Sequence, residues 1–234
     1  MENLQKNIIG ITIGIRFSRS FRIPDISGDI IDNILYGEKT PFGPKFFPEV
    51  QENSDREKTL FNSKTSEYLR INTDDLILGI KIDNNFDDKF EWIKNDVLEY
   101  FKEILFKEYK IKNIVLIGII FYHKIVKNNK MNETILSITE GKIEDADNIS
   151  LSFSKKLPAK EALYRKGVDD YKNTIYNLQE KKEYINSSLD YQYYYKPAIE
   201  DLRDCFVDNV FDDAKGFLIN NYYSWIIKNE NKQK

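Results

Sequence analysis

The sequence predicts an α+β protein built from two ferredoxin-like β-α-β-β-α units, with antiparallel sheets and helices packed on one face. Three observations support this fold class. Strand-like segments alternate apolar with small or polar residues at a period of two. Helix-like segments lie between them, with apolar residues at a period near 3.6. The order of segments in the first half returns in the second half, which indicates an internal duplication.

The first unit is predicted over residues 1–130 and begins with a strand at Asn7–Phe17. From residue 9 its odd-numbered residues are apolar and form a core face, whereas its even-numbered residues include Gly10 and Gly14. Glycines leave this second face flat, so another backbone or a ligand can approach it closely. A helix or strand packed over the glycines is the more ordinary interpretation, and a binding floor is the alternative.

A helix and a long loop follow the first strand. Pro24–Leu35 has isoleucines at helical spacing, and Gly37 provides the C-terminal stop. Residues 38–58 are rich in proline and polar residues, so they are predicted as a loop inserted into the first unit. Loops of this length are usually functional. Three phenylalanines in the loop are predicted to dock on a protein partner: Phe42, Phe46 and Phe47.

The first unit closes with a hairpin, a helix and a strand. Tyr68–Thr73 and Leu76–Asp83 alternate as two strands joined by a short acidic turn. A helix with an apolar stripe then runs to Tyr109. Asn113–Ile125 is apolar on both faces, which is typical of a central strand covered by helices.

The second unit is predicted over residues 145–228. Residues 149–154 alternate apolar residues with serines, and residues 158–166 suggest a short helix. Residues 171–178 and 184–195 would pair as a hairpin, although residues 164–178 also fit helical spacing. Pro197 is predicted to begin a long amphipathic helix.

Charge and rare residues exclude several classes of protein. The 234 residues contain 35 Lys and Arg against 38 Asp and Glu, and the net charge of −3 excludes a globally basic nucleic-acid binder. Cys205 is the single cysteine, which excludes a disulfide framework and a multi-cysteine zinc site. His123 is the single histidine, which excludes any site with two imidazoles. We expect no metal and no cofactor.

The N-terminal apolar run does not have the features of a signal peptide. Lys6 precedes the run Ile8–Ile15, but Arg16 and Phe17 follow it where a small-residue cleavage site would stand. The longest uncharged apolar run is about half the roughly 20 residues that a membrane-spanning helix needs. These observations predict a cytoplasmic protein with no membrane partner.

The chain resembles a sporadically distributed, uncharacterised prokaryotic family of about 250 residues. The resemblance lies in the first strand ending at Arg16-Phe17, in the strand Leu116–Ile125 and in the segment Leu189-Asp190 before the last helix. The family's middle strand is similar to Arg-x-Gly-Leu-Arg-Tyr-x-Asn-Arg-Ile. Genes of this family often lie near mobile or defence loci, so the resemblance implies a context and no mechanism.

The middle strand departs from the family pattern at its polar positions. Gly118, Phe121 and the pair Lys124-Ile125 match it, but Leu116 and Ile120 stand where the pattern has arginines. His123 stands where the pattern has asparagine. If those polar residues have a role elsewhere in the family, this chain has lost it.

Basic residues cluster after the first strand of each predicted half. If a pseudo-twofold axis relates the halves, the two clusters would form one groove that contacts phosphates. Exposed tyrosines at residues 191 and 193–195 would then stack on bases. The ordinary interpretation is that these tyrosines pack in the core and the lysines are solvated. The nucleic-acid-binding residues predicted from the clusters are Arg16, Arg19, Arg22, Lys155, Lys156, Lys160, Arg165 and Lys166.

A catalytic alternative depends on the single histidine. His123 is the only side chain with an ordinary pKa near neutrality, and Tyr122 and Lys124 flank it. CRISPR RNA-processing endonucleases with paired ferredoxin-like folds use a histidine with nearby basic residues. Their glycine-rich loop near the C-terminus has no counterpart in this sequence.

These observations favour a non-enzymatic binding or assembly protein of a prokaryotic antiviral defence or mobile-element system. It would recognise a nucleic acid through the basic segments, or a protein encoded nearby through the phenylalanine-containing loop. The alternatives are a metal-independent endoribonuclease that uses His123, and a structural subunit of a homo-oligomer.

Overall fold

The computed structural model describes residues 7–54, 56–126, 150–158, 165, 167–180 and 184–222. Nine strands in these ranges form one sheet in the order β2-β3-β4-β5-β1-β6-β9-β8-β7, and every neighbouring pair is antiparallel. The strands are β1 (Ile8–Phe17), β2 (Glu49–Ser54), β3 (Glu57–Asn62), β4 (Glu67–Asn72), β5 (Asp75–Lys81), β6 (Ile114–Val126), β7 (Ser150–Pro158), β8 (Tyr171–Glu180) and β9 (Tyr184–Ile199).

The helices of the described residues pack on one face of this sheet. The first is α1 (Ile23–Tyr36), which begins with Pro24 in its first turn. The second, α2, is a continuous helical segment made of Phe86–Trp92, Ile93–Val97, Leu98–Tyr100 and Phe101–Phe106, the second and fourth parts being π-helical. A 3₁₀ turn at Leu202–Cys205 leads into α3 (Val207–Phe217), which ends in a π-helical turn at Leu218–Tyr222.

The apolar core lies between these helices and the sheet. Alternate residues of β1, such as Ile13 and Ile15, are fully buried under the helices. On β6 the buried Phe121 contacts Phe90 of α2, and Phe90 in turn contacts Phe211 of α3. One layer of helices therefore covers one face of the sheet, because that face carries the period-two apolar residues.

The predicted pair of ferredoxin-like units is wrong, because the described strands form a single sheet. β6 pairs with β1 on one side and with β9 on the other, in register from Leu116 opposite Tyr194 to Val126 opposite Tyr184. Strands from both predicted units, 1–130 and 145–228, thus share one sheet. A long strand that is apolar on both faces is typical of the centre of a sheet, where a strand pairs on each side of it. β6 is such a strand. Residues 131–144, between the two units, lie outside the described residues.

Two local predictions are also corrected. Part of the predicted loop at residues 38–58 is the edge strand β2, which pairs with β3 and whose mostly polar residues gave no apolar alternation. Pro197 does not begin a helix: it lies inside β9 after a cis peptide bond, and α3 begins ten residues later at Val207.

Two further predictions concern a hairpin and a short helix in the second half of the chain. The hairpin alternative is confirmed, since β8 and β9 pair from Tyr171 opposite Tyr194 to Glu180 opposite Ile185. The short helix predicted at residues 158–166 lies largely outside the described residues.

The second face of the sheet, here called the open face, is not covered by any described helix. Register places Gly10, Thr12 and Gly14 of β1 on this face, opposite Tyr122, Ile120 and Gly118 of β6. No atom lies within 4 Å of where a Cβ would stand on Gly14. In the described part of the chain, the floor predicted from the glycines is therefore open at Gly14, whereas the Tyr122 ring lies beside Gly10 and Thr12 is buried. No described helix or strand packs over the two glycines, contrary to the more ordinary expectation.

Candidate functional site on the open face

Tyrosines and cations line one end of the open face. The rings of Tyr171 on β8 and Tyr194 on β9 stack in parallel, with centroids 4.4 Å apart and an interplanar angle of 7°. The Lys156 ammonium lies 4.0 Å from the centroid of the Tyr171 ring, and the Lys196 ammonium lies 5.6 Å from it. Because β7 and β9 flank β8, Lys156 and Tyr194 lie on opposite sides of the Tyr171 ring.

The strand register places residues of β6 and β1 at this same end of the open face. Tyr194 stands opposite Leu116, and Leu116 stands opposite Arg16. Arg16 and Lys156 are therefore four strand spacings apart, or about 19 Å. We call Arg16, Tyr194, Tyr171, Lys156 and Lys196 the cation–tyrosine row.

Burial and charge shape the electrostatics of the row. Partial burial raises the pKa of the Tyr194 hydroxyl; Tyr171 raises it further, whereas Arg16 lowers it. The Tyr194 hydroxyl is therefore neutral at neutral pH and can donate or accept a hydrogen bond.

Acidic groups also lie on the open face. Burial raises the pKa of Asp190, and a hydrogen bond donated by the Gln192 amide at 2.7 Å opposes that shift. Desolvation likewise raises the pKa of Asp75, while Arg70 and Arg16 lower it. The face as a whole is thus mixed in charge: Asp75 stands opposite Arg16 of the row, and Arg70, Lys81 and Lys124 lie on the same face outside the row.

The structure brings together only some of the predicted basic residues. Arg16 and Lys156 both belong to the row, one from each predicted cluster. Lys155 lies on the other face of β7, because it stands opposite Thr174 and next to Lys156 in the strand. Arg19 is 3.8 Å from Asp74, and Arg22 is exposed just before α1.

Arg165 has a structural role, because groups of its own chain hold its guanidinium. Its guanidinium forms an ion pair with the nearly buried Asp170 and donates a hydrogen bond to the Pro197 carbonyl at 2.8 Å. A cation held in this way is not available for a phosphate. Lys160 and Lys166, the other two predicted residues, lie outside the described residues.

Three of the four predicted stacking tyrosines belong to the core. Tyr191, Tyr193 and Tyr195 are buried on the helix side of β9. Only Tyr194 points to the open face, since alternate residues of a strand point to opposite faces. Tyr171 and Lys196 were missed, although the period-two pattern of residues 171–178 could have placed Tyr171 on the same face as Tyr194.

The predicted catalytic residues are not brought together. His123 is 1% exposed on the helix side of β6, whereas Tyr122 and Lys124 are exposed on the opposite face. Burial lowers the pKa of the imidazole to about 4. A buried imidazole that points away from its two proposed partners cannot act with them as an acid or base.

The phenylalanines predicted to bind a partner pack inside this chain. Phe47 is 1% exposed, and its ring centroid is 4.7 Å from that of Phe46. Phe46 and Phe42 are 5.8 Å and 6.0 Å from Trp92 of α2. The loop therefore docks on its own long helix, which corrects their assignment to a partner surface.

Two hollows flank Tyr122 on the open face. One, of about 390 Å³, lies over β1 and β5 and is lined by Gly10, Thr12, Tyr68 and Gly79 among others. The other, of about 380 Å³, lies toward β7 and is lined by Asn177, Gln179 and Asn186 among others. The cation–tyrosine row and both hollows therefore share a single face.

A third hollow lies on the helix side, between the segment after α1 and α2. It measures about 740 Å³, and carboxylates of Asp96, Glu99 and Glu103 line it. These negative charges make it unsuitable for phosphates. Across the described ranges, no group of three or more His, Cys, Asp or Glu residues is placed to hold a metal ion. No helix among these residues has the length and apolar character to cross a membrane.

Comparisons with known proteins do not place the chain in a family. No family model and no curated protein matches it. Among solved structures, Methanococcus jannaschii TBP is similar over 90% of this chain and 98% of that chain, with a TM-score of 0.26 and 9% sequence identity. A similarity at this TM-score carries no argument about the fold or the function of the present chain.

Proposed function

We propose that this chain is a non-enzymatic binding protein that holds single-stranded nucleic acid on the open face of its sheet. The single observation that carries the proposal is the cation–tyrosine row. Stacked tyrosines flanked by lysines and an arginine, on a sheet face that no described helix covers, provide both requirements for such binding, aromatic faces for bases and cations for phosphates.

A base would stack on the face of the Tyr194 ring that Tyr171 does not cover. Tyr171 covers one face of the Tyr194 ring, so its other face is directed toward β6. There the open face carries Leu116 and Gly118, and Gly14 lies next to them on β1. A base stacked on Tyr194 would lie over these small and apolar residues, and Arg16 on the same face would contact the phosphate.

A single strand suits this surface better than a duplex does. Bases of a duplex are already stacked, so the tyrosines would gain nothing from them. Duplex binding without base contacts depends on many phosphate contacts. The open face carries acidic as well as basic side chains, and Asp75 and Asp190 would repel a second strand.

The geometry gives less support to two of the other candidate functions, binding of a protein partner and RNA cleavage. The phenylalanine-containing segment is occupied by Trp92, and the imidazole of His123 is buried away from Tyr122 and Lys124. A role in antiviral defence or in a mobile element stays a prediction, since it derives from the family resemblance alone.

The test is fluorescence anisotropy with labelled single-stranded RNA and DNA of mixed sequence and the matching duplexes. We expect Tyr171→Ala with Tyr194→Ala to weaken single-strand binding roughly ten- to hundredfold, since each stacked base contributes about 1–3 kcal/mol. Lys156→Glu with Lys196→Glu should weaken it comparably and make it less sensitive to salt.

The matched control is Lys39→Glu with Lys45→Glu, two exposed lysines in the segment after α1. It changes the net charge as much as the row variant does, so equal losses from both would indicate non-specific charge attraction. Tight binding that survives both row variants would refute the proposal. Thermal unfolding verifies that each variant is folded.

Removing a negative charge from the same face should strengthen the binding of single strands. Asp190 lies between the row and the hollow beside Tyr122, opposite Ile120 and Ile175. Asp190→Asn removes a negative charge near the bound phosphates, so we expect a two- to fivefold gain in affinity at low salt, about 0.5–1 kcal/mol. An unchanged affinity would place the ligand elsewhere.

A further inference from the structure

A hollow beside the row is lined by carboxamides and hydroxyls. It extends across the open face from Tyr122 of β6 to the beginning of β7, with a volume of about 380 Å³. We call it the amide hollow. Its open-face side chains are those of Ser150, Ser152, Asn177, Gln179, Asn186 and Ser188. None of the residues that line it is charged.

Two of these carboxamides are available to a ligand. Gln179 and Asn186 stand opposite each other in the β8–β9 register. Among the described residues, no side-chain hydrogen bond occupies either amide. Asn177 differs, because Ser152 donates a hydrogen bond to it at 2.7 Å and it donates one to Ser188 at 3.3 Å. The hollow therefore has an ordered side and a side with spare donors and acceptors.

Tyr122 forms an aromatic wall at the edge of the hollow. Its side chain is 37% exposed. Its ring leans over Gly10, where a Cβ would be 3.7 Å from the ring carbon Cδ2. The ring therefore lines the hollow with part of its surface exposed, and its position suits stacking with a planar ligand.

We infer that the amide hollow binds one unpaired nucleobase, which stacks beside Tyr122 and hydrogen-bonds with Gln179 and Asn186. Carboxamides pair with the donor and acceptor edge of a base, with adenine as their usual partner. The absence of charged lining residues argues against a phosphate as the group bound there. The choice of a base over another planar polar ligand rests on the proposed function.

The two sites are far enough apart to bind different nucleotides of one strand. Tyr194 of the row and Ser188 of the hollow are six residues apart on β9, or about 20 Å. The row would supply affinity for any sequence, because every base has a face that can stack. The hollow would add a base preference, because hydrogen bonds to base edges discriminate between bases.

The test titrates uncharged nucleosides into the ¹⁵N-labelled full chain and follows the side-chain amide signals by NMR. Nucleosides lack phosphates, so their binding does not depend on the cations of the row, and the side-chain amide signals of Gln179 and Asn186 report on the hollow alone. We expect adenosine to shift the amide signals that Gln179→Ala and Asn186→Ala remove. Each of these variants should weaken adenosine binding about tenfold. Gln51→Ala, an exposed amide on the edge strand β2, is the matched control and should have no effect.

The outcomes separate this inference from the proposed function. If single strands bind through the row but no nucleoside shifts these signals, the amide hollow is not a base site and the proposed function stands. If ribose alone shifts them as strongly as adenosine, the hollow recognises hydroxyl groups and the inference is wrong. If adenosine binds there while the row variants leave single-strand binding unchanged, the inference stands and the proposed function fails.

Discussion

The environment of His123 shows how the alternation of a strand determines the chemistry of a side chain. The residue is one position away from the exposed Tyr122, yet it is 1% exposed because it points to the helix side. Burial makes the charged imidazolium costly, which lowers the pKa from its ordinary value of 6.5 to about 4. At neutral pH the imidazole is therefore a neutral part of the core.

This lowered pKa predicts a loss of stability in mild acid. The unfolded chain binds the histidine proton near pH 6.5 and the folded chain only near pH 4, so protonation favours unfolding between these values. His123 should contribute a loss of about 2 kcal/mol in unfolding free energy between pH 7.5 and pH 4.5. Urea unfolding at both pH values, for the natural protein and for His123→Gln, measures it.

The glutamine variant keeps a polar side chain but cannot titrate, so carboxyl titrations contribute equally to both proteins. The difference between the two pH dependences then belongs to His123. Equal losses of stability in the two proteins would mean that the imidazole is accessible to protons in the folded state.

At the scale of elements, the segment between α1 and β2 has a structural role. Its three phenylalanines form an aromatic cluster with Trp92 and the buried Tyr100 and Phe101 of α2. The sequence indicated correctly that this segment docks on a surface. It did not indicate which surface, because an aromatic side chain buries equally well against its own chain and against a partner.

This cluster predicts that the segment contributes strongly to stability. Phe47→Ala should lower the unfolding free energy by about 3–5 kcal/mol, the usual cost of removing a buried phenylalanine ring. Phe21→Ala is the control, since Phe21 is 74% exposed and its loss should cost less than about 0.5 kcal/mol. Denaturant unfolding followed by circular dichroism measures both. A small effect at Phe47 would show that the segment detaches easily.

The edge strand β2 is a second element that the sequence did not predict. Edge strands need few apolar residues, because they bury little surface and are protected by polar side chains. Of the residues of β2, only Val50 is apolar, so no alternation could identify it from the sequence. The central strands β1 and β5 alternate clearly, whereas β6 is apolar on both faces, and all three were predicted near their observed positions.

At the scale of the whole molecule, the continuous sheet predicts one cooperative unfolding transition. The β6–β9 pairing joins strands of both predicted units, and Phe121 and Tyr191 lie under one helical layer. The variant Trp225→Phe leaves Trp92 as the single tryptophan and as a reporter of the first half. Its fluorescence transition in urea should coincide with the transition in far-ultraviolet circular dichroism.

Separate midpoints for the two signals would contradict this expectation and would restore the idea of two independent domains. A change in midpoint caused by the Trp225→Phe substitution itself is controlled by recording both signals on the same sample.

The small number of cations in the row also predicts the salt dependence of nucleic-acid binding. Three cations, Arg16, Lys156 and Lys196, would contact about three phosphates. The slope of log affinity against log salt should then be about −2 for a single strand. Anisotropy titrations between about 50 and 300 mM salt measure it. A slope steeper than about −5 would indicate a larger electrostatic surface than the row.

The sequence by itself determined which face of β1 and β5 is apolar, because the period of two follows from backbone geometry and needs no knowledge of neighbours. It therefore identified the core residues of β1 and the flat glycine face of the same strand. β6 is apolar on both faces, so the sequence did not indicate which of its faces packs under the helices. Beyond the two hairpins, the sequence could not determine which strands pair, since pairing depends on contacts between residues far apart in the chain. Only the tertiary structure placed β9 between β6 and β8. That arrangement stacks Tyr194 on Tyr171, and it brings Arg16 and Lys156 to the same end of the open face.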